Sequence, residues 1–233
     1  NDWIDRESDS LHPLKKFRPF ASGAVSPKSG VFLGALTTGI ALILSLNLLV
    51  NSALIVIGIY FVLNVAYSLK LKHYALIDVF CIAVGFVLRL FAGSTATGIT
   101  LSSWIVTLTF LLAMFLGLAK RRDDVLLQEI GGNRLRNSVN RYNCKFLEHS
   151  MTVMAAIVIV SYLMYCHAVS PSLTIASGYL FLTTGFVVLG ILRYLQIALV
   201  EDNTGSPTKI LLSDRFIQVN LLLWAGTFTW ILY

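Results

Sequence analysis

Val31-Phe-Leu-Gly-Ala-Leu-Thr-Thr-Gly-Ile40-Ala-Leu-Ile-Leu-Ser-Leu-Asn-Leu-Leu-Val50-Asn-Ser-Ala-Leu-Ile-Val-Ile-Gly-Ile-Tyr60-Phe-Val-Leu-Asn-Val-Ala-Tyr-Ser-Leu69 contains no charged side chain. It divides into two apolar stretches, near 31–49 and 52–69, with only the uncharged pair 50–51 between them. Each is long enough to cross a hydrocarbon core of about 30 Å at about 1.5 Å per residue. Lipid tolerates no bare backbone polar groups, so helices rather than a barrel are expected. Working outward, stretches near 76–93, 102–119, 151–168, 175–195 and 215–233 have the same character. The expected fold is therefore all-α: a polytopic transmembrane helical bundle of seven spans, forming a single membrane-embedded domain over 1–233. Of the 233 residues, 56% are hydrophobic and 13% charged, which excludes an ordinary soluble domain.

The charges are more sharply patterned than the hydropathy. Of eighteen Lys and Arg, five lie in 1–29, two in 70–75, seven in 120–149 and three between 193 and 215; only Arg89 falls inside a span. The alternate connections, near 50–51, 94–101 and 169–174, carry no charge. The positive-inside rule then places the charged segments 1–29 and 120–149 in the cytoplasm and the C-terminal end opposite. The net charge of +6 is accordingly a sign of topology and phosphate binding. No compact basic domain exists to lie on a duplex, so nucleic acid is not an expected partner. The three cysteines form no disulfide framework, and the four histidines have no paired ligand spacing, which leaves no basis for a zinc site.

The first residues, Asn1-Asp2-Trp3-Ile4-Asp5-Arg6-Glu7-Ser8-Asp9, place Asp2, Asp5 and Asp9 at i, i+3 and i+7, along one helical stripe. Three like charges so close either face water or face a cation. Hard oxygen ligands at this spacing suit Mg2+ carrying a phosphorylated substrate. Pro13, Pro19, Pro27, Gly23 and Gly30 interrupt the chain, so the acidic helix should end soon after Asp9. Lys15, Lys16 and Arg18 then return cations to the carboxylates, as a metal-diphosphate complex requires. The segment 120–149 opens Lys120-Arg121-Arg122-Asp123-Asp124, turns at Gly131-Gly132 and resumes as a two-faced helix. Arg134, Ser138, Arg141 and Lys145 share one face, and Leu135, Val139, Tyr142 and Phe146 the other. It reads as a basic helix on anionic lipid, as part of an anion pocket, or as both.

The opening nine residues match the N-D-x-x-D-x-x-x-D motif of the UbiA superfamily of intramembrane prenyltransferases, and Arg18-Pro19-Phe20-Ala21-Ser22-Gly23 resembles the R-P-x-x-S-G that follows it. Those enzymes have nine helices with this motif after the second, so the resemblance implies that two upstream helices are absent from this sequence. Tyr67-Ser-Leu-Lys70-Leu-Lys72, Asp78-Val79, Gly85-Phe86, Arg89, Ala92-Gly93 and Leu118-Ala-Lys-Arg-Arg122 are similar to the decaprenyl-phosphate phosphoribosyltransferase branch. One departure from the superfamily is informative. Aromatic-acceptor members carry a second D-x-x-x-D motif where this chain has Lys120, Arg121 and Arg122 ahead of Asp123 and Asp124.

The resemblance implies transfer of a 5-phosphoribosyl group from phosphoribosyl diphosphate to a polyprenyl phosphate in a bacterial plasma membrane, with the active site on the cytoplasmic side. Membrane lipids would surround the chain, and a homo-oligomer is one state it allows. Asp2, Asp5 and Asp9 would hold magnesium, Asn1 would add a neutral oxygen, and Asp78 would face positive charge developing on the ribose. Lys15, Lys16, Arg18, Lys70, Lys72, Lys120, Arg121 and Arg122 would hold phosphates, although Lys70, Lys72 and Lys120 are equally natural membrane-boundary markers. Tyr67 either stacks on substrate or packs. Arg89, deep in a span, is expected in a buried polar network, and Asp214 and Glu201 are expected to be solvated. Two alternatives remain: prenyl transfer to an aromatic acceptor, and a membrane transporter. Transporters place coupling charges near the bilayer midplane, whereas here nearly all charges crowd one surface.

Overall fold

The computed structural model describes residues 3, 5–10, 15–131, 141–169, 175–201 and 207–232. In these the chain is helical: α1 (Arg6–Ser10), α2 (Pro27–Leu48), α3 (Asn51–Leu69), α4 (Ile77–Thr97), α5 (Ser103–Gly131), α6 (Cys144–Val169), α7 (Thr184–Leu199), α8 (Pro207–Ser213) and α9 (Arg215–Leu232), with 3-10 turns at Lys15–Phe17, Leu71–His73 and Ile175–Thr183. Six of the seven expected spans are long and apolar enough to cross a membrane: Pro27–Asn47, Asn51–Leu69, Ile77–Thr97, Ser103–Gln128, Cys144–Val169 and Gly178–Leu199. The seventh, α9, is not among them. It has 18 residues, opens on Arg215 and carries Gln218 and Asn220 in its first half. The protein is an integral membrane protein, and its many exposed Leu, Ile, Val and Phe side chains are what lipid, rather than water, would solvate.

The chain forms two compact units, Asn1–Leu101 with Leu127–Arg141, and Ser102–Leu126 with Tyr142–Tyr233. In the first, α2 starts where the sequence provides a start signal. Ser26 is the N-cap, its hydroxyl accepting from Ser29 N–H at 3.2 Å, and Pro27 occupies the first turn, where a missing N–H costs nothing. Next, α3 and α4 pack as a hairpin. The buried face of α4 is built of small or compact residues, Asp78, Val79, Cys81, Ala83 and Gly85, which let backbones approach closely. Between the helices the chain turns through Leu71–His73 and reaches Leu76, whose φ of +67° and ψ of −42° lie outside the ordinary regions for a side-chain-bearing residue.

In the second unit, α6 buries Leu147, Met151, Ala155, Val158, Tyr162 and Cys166, a single stripe at three- and four-residue spacing. Tyr162, Cys166, Leu180 and Ile231 form a core with Trp224, Phe228 and Val187 against it. The polar atoms in that core are paired. Trp224 Nε1–H donates to Tyr162 Oη at 2.8 Å, Tyr162 Oη lies 2.8 Å from Thr183 Oγ1, and Thr183 Oγ1–H donates to the Leu180 carbonyl at 2.6 Å. Asn220 Nδ2 donates to the Phe186 carbonyl at 2.8 Å, which ties α9 to α7.

The segment expected to leave the membrane as a loop at Lys120 is helical to Gly131. No glycine or proline intervenes between Lys120 and Gly131, and Lys, Arg, Leu, Gln and Glu favour helix. Arg121 to Asp124 are buried, Arg121 pairing with Asp124 and Arg122 with Glu148. The two-faced helix expected at 134–146 falls largely outside the described residues; within them Tyr142 is buried, and its ring stacks on Phe146 with centroids 6.2 Å apart.

Candidate functional site

The acidic motif folds as a turn followed by the short helix α1, with Asp9 N–H donating to the Asp5 carbonyl at 2.8 Å. One helical turn therefore separates Asp5 from Asp9, as the stripe requires. The helix ends at Ser10, close to where the sequence predicts. Each of the two carboxylates has a cation, one from the α3–α4 turn and one from the segment that follows α1. Lys72 Nζ–H donates to Asp5 Oδ1 at 2.6 Å, and Arg18 Nη1–H donates to Asp9 Oδ2 at 2.9 Å.

Arg18 is held in reach of Asp9 by its own motif. Ser22 N–H donates to the Arg18 carbonyl at 2.8 Å, and Val25 N–H donates to the Pro19 carbonyl at 3.1 Å, which closes a compact turn. Gly23 adopts φ +76°, a conformation side-chain-bearing residues rarely take. The Phe20 ring packs against α2 at Gly30, where a Cβ would come within 2.2 Å of it. The glycine of R-P-x-x-S-G thus makes the turn, and the aromatic residue anchors it to the helix beneath.

Lys72 has no solvent exposure, and neither does Asp78, which lies six residues further on in the first turn of α4. Asp78 Oδ1 accepts from Val79 N–H at 2.8 Å, and a carboxylate at a helix N-terminus is favoured by the helix dipole. Lys70, in contrast, is exposed at the end of α3, and Lys16 is exposed with its ammonium 5.2 Å over the Phe17 ring. Asn1 and Asp2 and the side chain of Lys15 lie outside the described residues.

Tyr67 lines a cavity of about 100 Å³ between α3 and α4, together with Tyr60, Asn64, Cys81, Gly85 and Arg89. Arg89 is not buried within the protein, contrary to expectation. It forms part of the cavity wall, its Nε and Nη2 donating to Tyr60 Oη at 3.1 and 2.6 Å, while the guanidinium carbon lies 5.2 and 5.0 Å from the Tyr60 and Phe86 ring centroids. The polar network is real, but it faces outward from the hairpin. Tyr60 is the partner that sequence reading missed; pairing α3 with α4 antiparallel was the available signal.

In the second unit, Lys120 is exposed, whereas Arg121 and Arg122 are 2% and 3% exposed. Arg121 Nη1 pairs with Asp124 Oδ2 one turn away. Arg122 donates through Nε to Glu148 Oε1 at 3.0 Å and through Nη1 to the Ala198 carbonyl, bridging α5 to α6 and α7. The structure thus gives Arg122 an interhelical role that the sequence did not reveal. Asp214, expected in solvent, instead accepts from Arg193 Nε and Nη2 at 3.1 and 2.7 Å and from Ile217 N–H at 2.8 Å, and Glu201 accepts from Arg193 Nη1 at 2.9 Å. The hydrogen bond from Arg193 holds the Asp214 carboxyl below the ordinary aspartate range.

Among the described residues no three His, Cys, Asp or Glu side chains come together to hold a metal. The donor chemistry nevertheless suits one. Asp5 and Asp9 offer oxygen only, one turn apart, and magnesium is typically held by one or two carboxylates with water and substrate phosphate completing its shell.

A partly buried cluster of both signs of charge, joined to the turn of a membrane hairpin, defines a membrane-embedded helical protein with a polar site at that hairpin end. The whole chain superposes on a UbiA homolog from Archaeoglobus fulgidus bound to DMAPP and Mg2+, with a TM-score of 0.71, 17% sequence identity and 81% of that chain covered. The UbiA prenyltransferase family profile matches residues 1–220, and the chain belongs to that family. It is 33% identical to the decaprenyl-phosphate phosphoribosyltransferase of Corynebacterium glutamicum over 227 residues, 96% of this chain and 68% of that one. The enzyme of the same name from Mycolicibacterium smegmatis is 32% identical over 234 residues, 97% of this chain and 73% of that one.

Proposed function

We propose that the protein transfers a 5-phosphoribosyl group from phosphoribosyl diphosphate to a polyprenyl phosphate of the decaprenyl type, releasing diphosphate on the cytoplasmic side of the membrane. The observation that carries this reading is the alternation of Lys72, Asp5, Asp9 and Arg18, which sets both signs of charge side by side where the acidic motif meets the α3–α4 turn. A metal-bound diphosphate needs both signs: carboxylates for the metal and guanidinium or ammonium groups for the phosphate oxygens the metal leaves uncovered.

Asp5 and Asp9, with Asp2 beside them in the motif, would hold magnesium, which when bound neutralises a leaving diphosphate as a Lewis acid. The remaining work falls to the chain. Arg18 and Lys72 orient the diphosphate, and exposed Lys16 and Lys70 lie on the same stretches of chain to gather anions. The bond from ribose C1 to diphosphate oxygen breaks, and one from C1 to an acceptor phosphate oxygen forms. Positive charge grows on the sugar in between, and Asp78, with its negative charge fixed at the start of α4, is the carboxylate assigned to it. The acceptor needs no general base, since a phosphate monoester with a second pKa of about 6 is already a dianion near neutral pH. Two unit charges 4 Å apart repel by about 4 kcal/mol at an effective dielectric of 20, so cations must bring acceptor and donor together.

Phosphoribosyl rather than prenyl transfer is favoured by the sequence Lys120-Arg121-Arg122 where aromatic-acceptor enzymes carry acids, and by Asp124 being engaged with Arg121. The similarity to two phosphoribosyltransferases over nearly the whole chain supports the same choice. The test is incubation of purified protein with Mg2+, polyprenyl phosphate and radiolabelled phosphoribosyl diphosphate. Label should enter the lipid fraction with release of diphosphate. Consumption of prenyl diphosphate with an aromatic acid, and no lipid label, would establish the rival reaction.

A further inference from the structure

Asp5 and Asp9, the two described carboxylates of the acidic motif, each already carry a cation of the chain: Lys72 at 2.6 Å and Arg18 at 2.9 Å. Lys72 is the unusual partner. It is a fully buried lysine that reaches across 67 positions of sequence to a carboxylate expected to bind metal. Magnesium binds carboxylate oxygen at about 2.0–2.1 Å and tolerates little distortion of its shell. An ammonium 2.6 Å from the same oxygen occupies the place of that metal and repels it.

We propose that Lys72 is the resident counter-ion of Asp5 in the metal-free protein, and that it exchanges: the metal takes the Asp5 carboxylate while the Lys72 ammonium moves onto the phosphate oxygens that arrive with the metal. This rests on the reading above that the acidic motif receives a metal-bound diphosphate. The local backbone suits such a movement. Lys72 stands in a three-residue 3-10 turn, and the chain beyond it passes through Leu76 in its unusual positive-φ conformation before α4 begins. Lysine is also the appropriate residue, as a point charge on a flexible stem whose donors rotate freely from one anion to another. The consequence is ordered loading. Metal alone must break the Lys72–Asp5 pair without bringing the ammonium an anion in exchange, so it binds weakly, whereas metal with diphosphate brings one.

The experiment is titration of detergent-purified protein with Mn2+, a paramagnetic substitute for Mg2+, followed by electron paramagnetic resonance with and without inorganic diphosphate. Parent, Lys72→Met, Lys72→Gln, Lys72→Arg and Asp5→Asn are compared, each first shown to be folded by gel filtration and thermal unfolding. With Mn2+ alone, both neutral variants should bind about tenfold more tightly than the parent, and Lys72→Arg should resemble it. Diphosphate should tighten Mn2+ binding in the parent and do so about tenfold less in the neutral variants, so that parent and variants then bind the metal about equally. Two neutral substitutions guard against one that misfolds. If neither tightens Mn2+ binding while Asp5→Asn weakens it, the exchange is wrong and the metal site stands. If Asp5→Asn leaves Mn2+ binding unchanged, the underlying site assignment fails as well.

Discussion

Leu76 holds φ +67° between the turn that carries Lys72 and the helix that carries Asp78, with its side chain about half exposed. A non-glycine residue in such a conformation costs about 1–3 kcal/mol, against about 0.5–1 kcal/mol of extra chain entropy for glycine. Leu76→Gly is therefore expected to stabilise the protein by about 1 kcal/mol in thermal unfolding, and Leu76→Val to destabilise it. A glycine variant less stable than the parent would mean the backbone there is not strained. At the site itself, Asp5→Asn should lower turnover by about 10²–10³, the scale of losing one electrostatic contact to a developing charge, and unimpaired turnover would count against the metal assignment. The sequence revealed the carboxylates and a supply of cations, but not their pairing. Lys72 and Lys70 are indistinguishable as boundary lysines, yet one is fully buried on Asp5 and the other is exposed, a difference created by a turn of three residues. Arg18 was easier to place, because its motif contains the glycine and the aromatic residue that fix the loop.

At the scale of elements, α5 is the helix whose sequence misleads. Its charges resemble a membrane exit, but Arg121 pairs with Asp124 and Arg122 joins Glu148 and the Ala198 carbonyl, so the helix continues with those charges inside. Apolar length located six spans because hydrophobicity is local; a buried charge is legible only through partners that belong to other helices. Removing one member of a buried pair leaves the other uncompensated. Arg122→Met and Glu148→Gln should each lower stability by about 1–3 kcal/mol, with the double variant losing less than the sum, as a double-mutant cycle in detergent would reveal. Lys120→Gln, at an exposed position of the same triplet, should change stability by no more than about 0.5 kcal/mol. The Arg193–Asp214 pair makes α7 and the start of α9 sensitive to acid. The Asp214 carboxyl is depressed by its hydrogen bond from Arg193, so the stability it contributes is present above the unfolded aspartate value of about 3.9 and disappears as pH falls through the lower folded value. Asp214→Asn should thus melt below the parent at neutral pH, with the gap closing below about pH 4; a gap that persisted in acid would mean the charge is not what holds the helices.

Across the whole molecule, composition decided most. A chain 56% hydrophobic with 13% charged residues has few ways to fold other than a bundle solvated by lipid, and superposition on a UbiA homolog agrees. Which face of the membrane receives the substrates is a separate matter, and it follows only from the distribution of cations. Seventeen of the eighteen Lys and Arg lie in segments 1–29, 70–75, 120–149 and 193–215, and the alternate connections have none. A cytoplasmic position for the former is favoured by the positive-inside rule. Single cysteines placed at exposed His73 and exposed Thr100, at opposite ends of α4, would decide it in a background with Cys144 replaced by Ser, since Cys81 and Cys166 are buried. A maleimide that cannot cross membranes should label Thr100→Cys in intact cells and His73→Cys only after the membrane is opened. Labelling of His73→Cys from outside would invert the topology and place the Asp5–Lys72 cluster beyond the reach of a cytoplasmic donor.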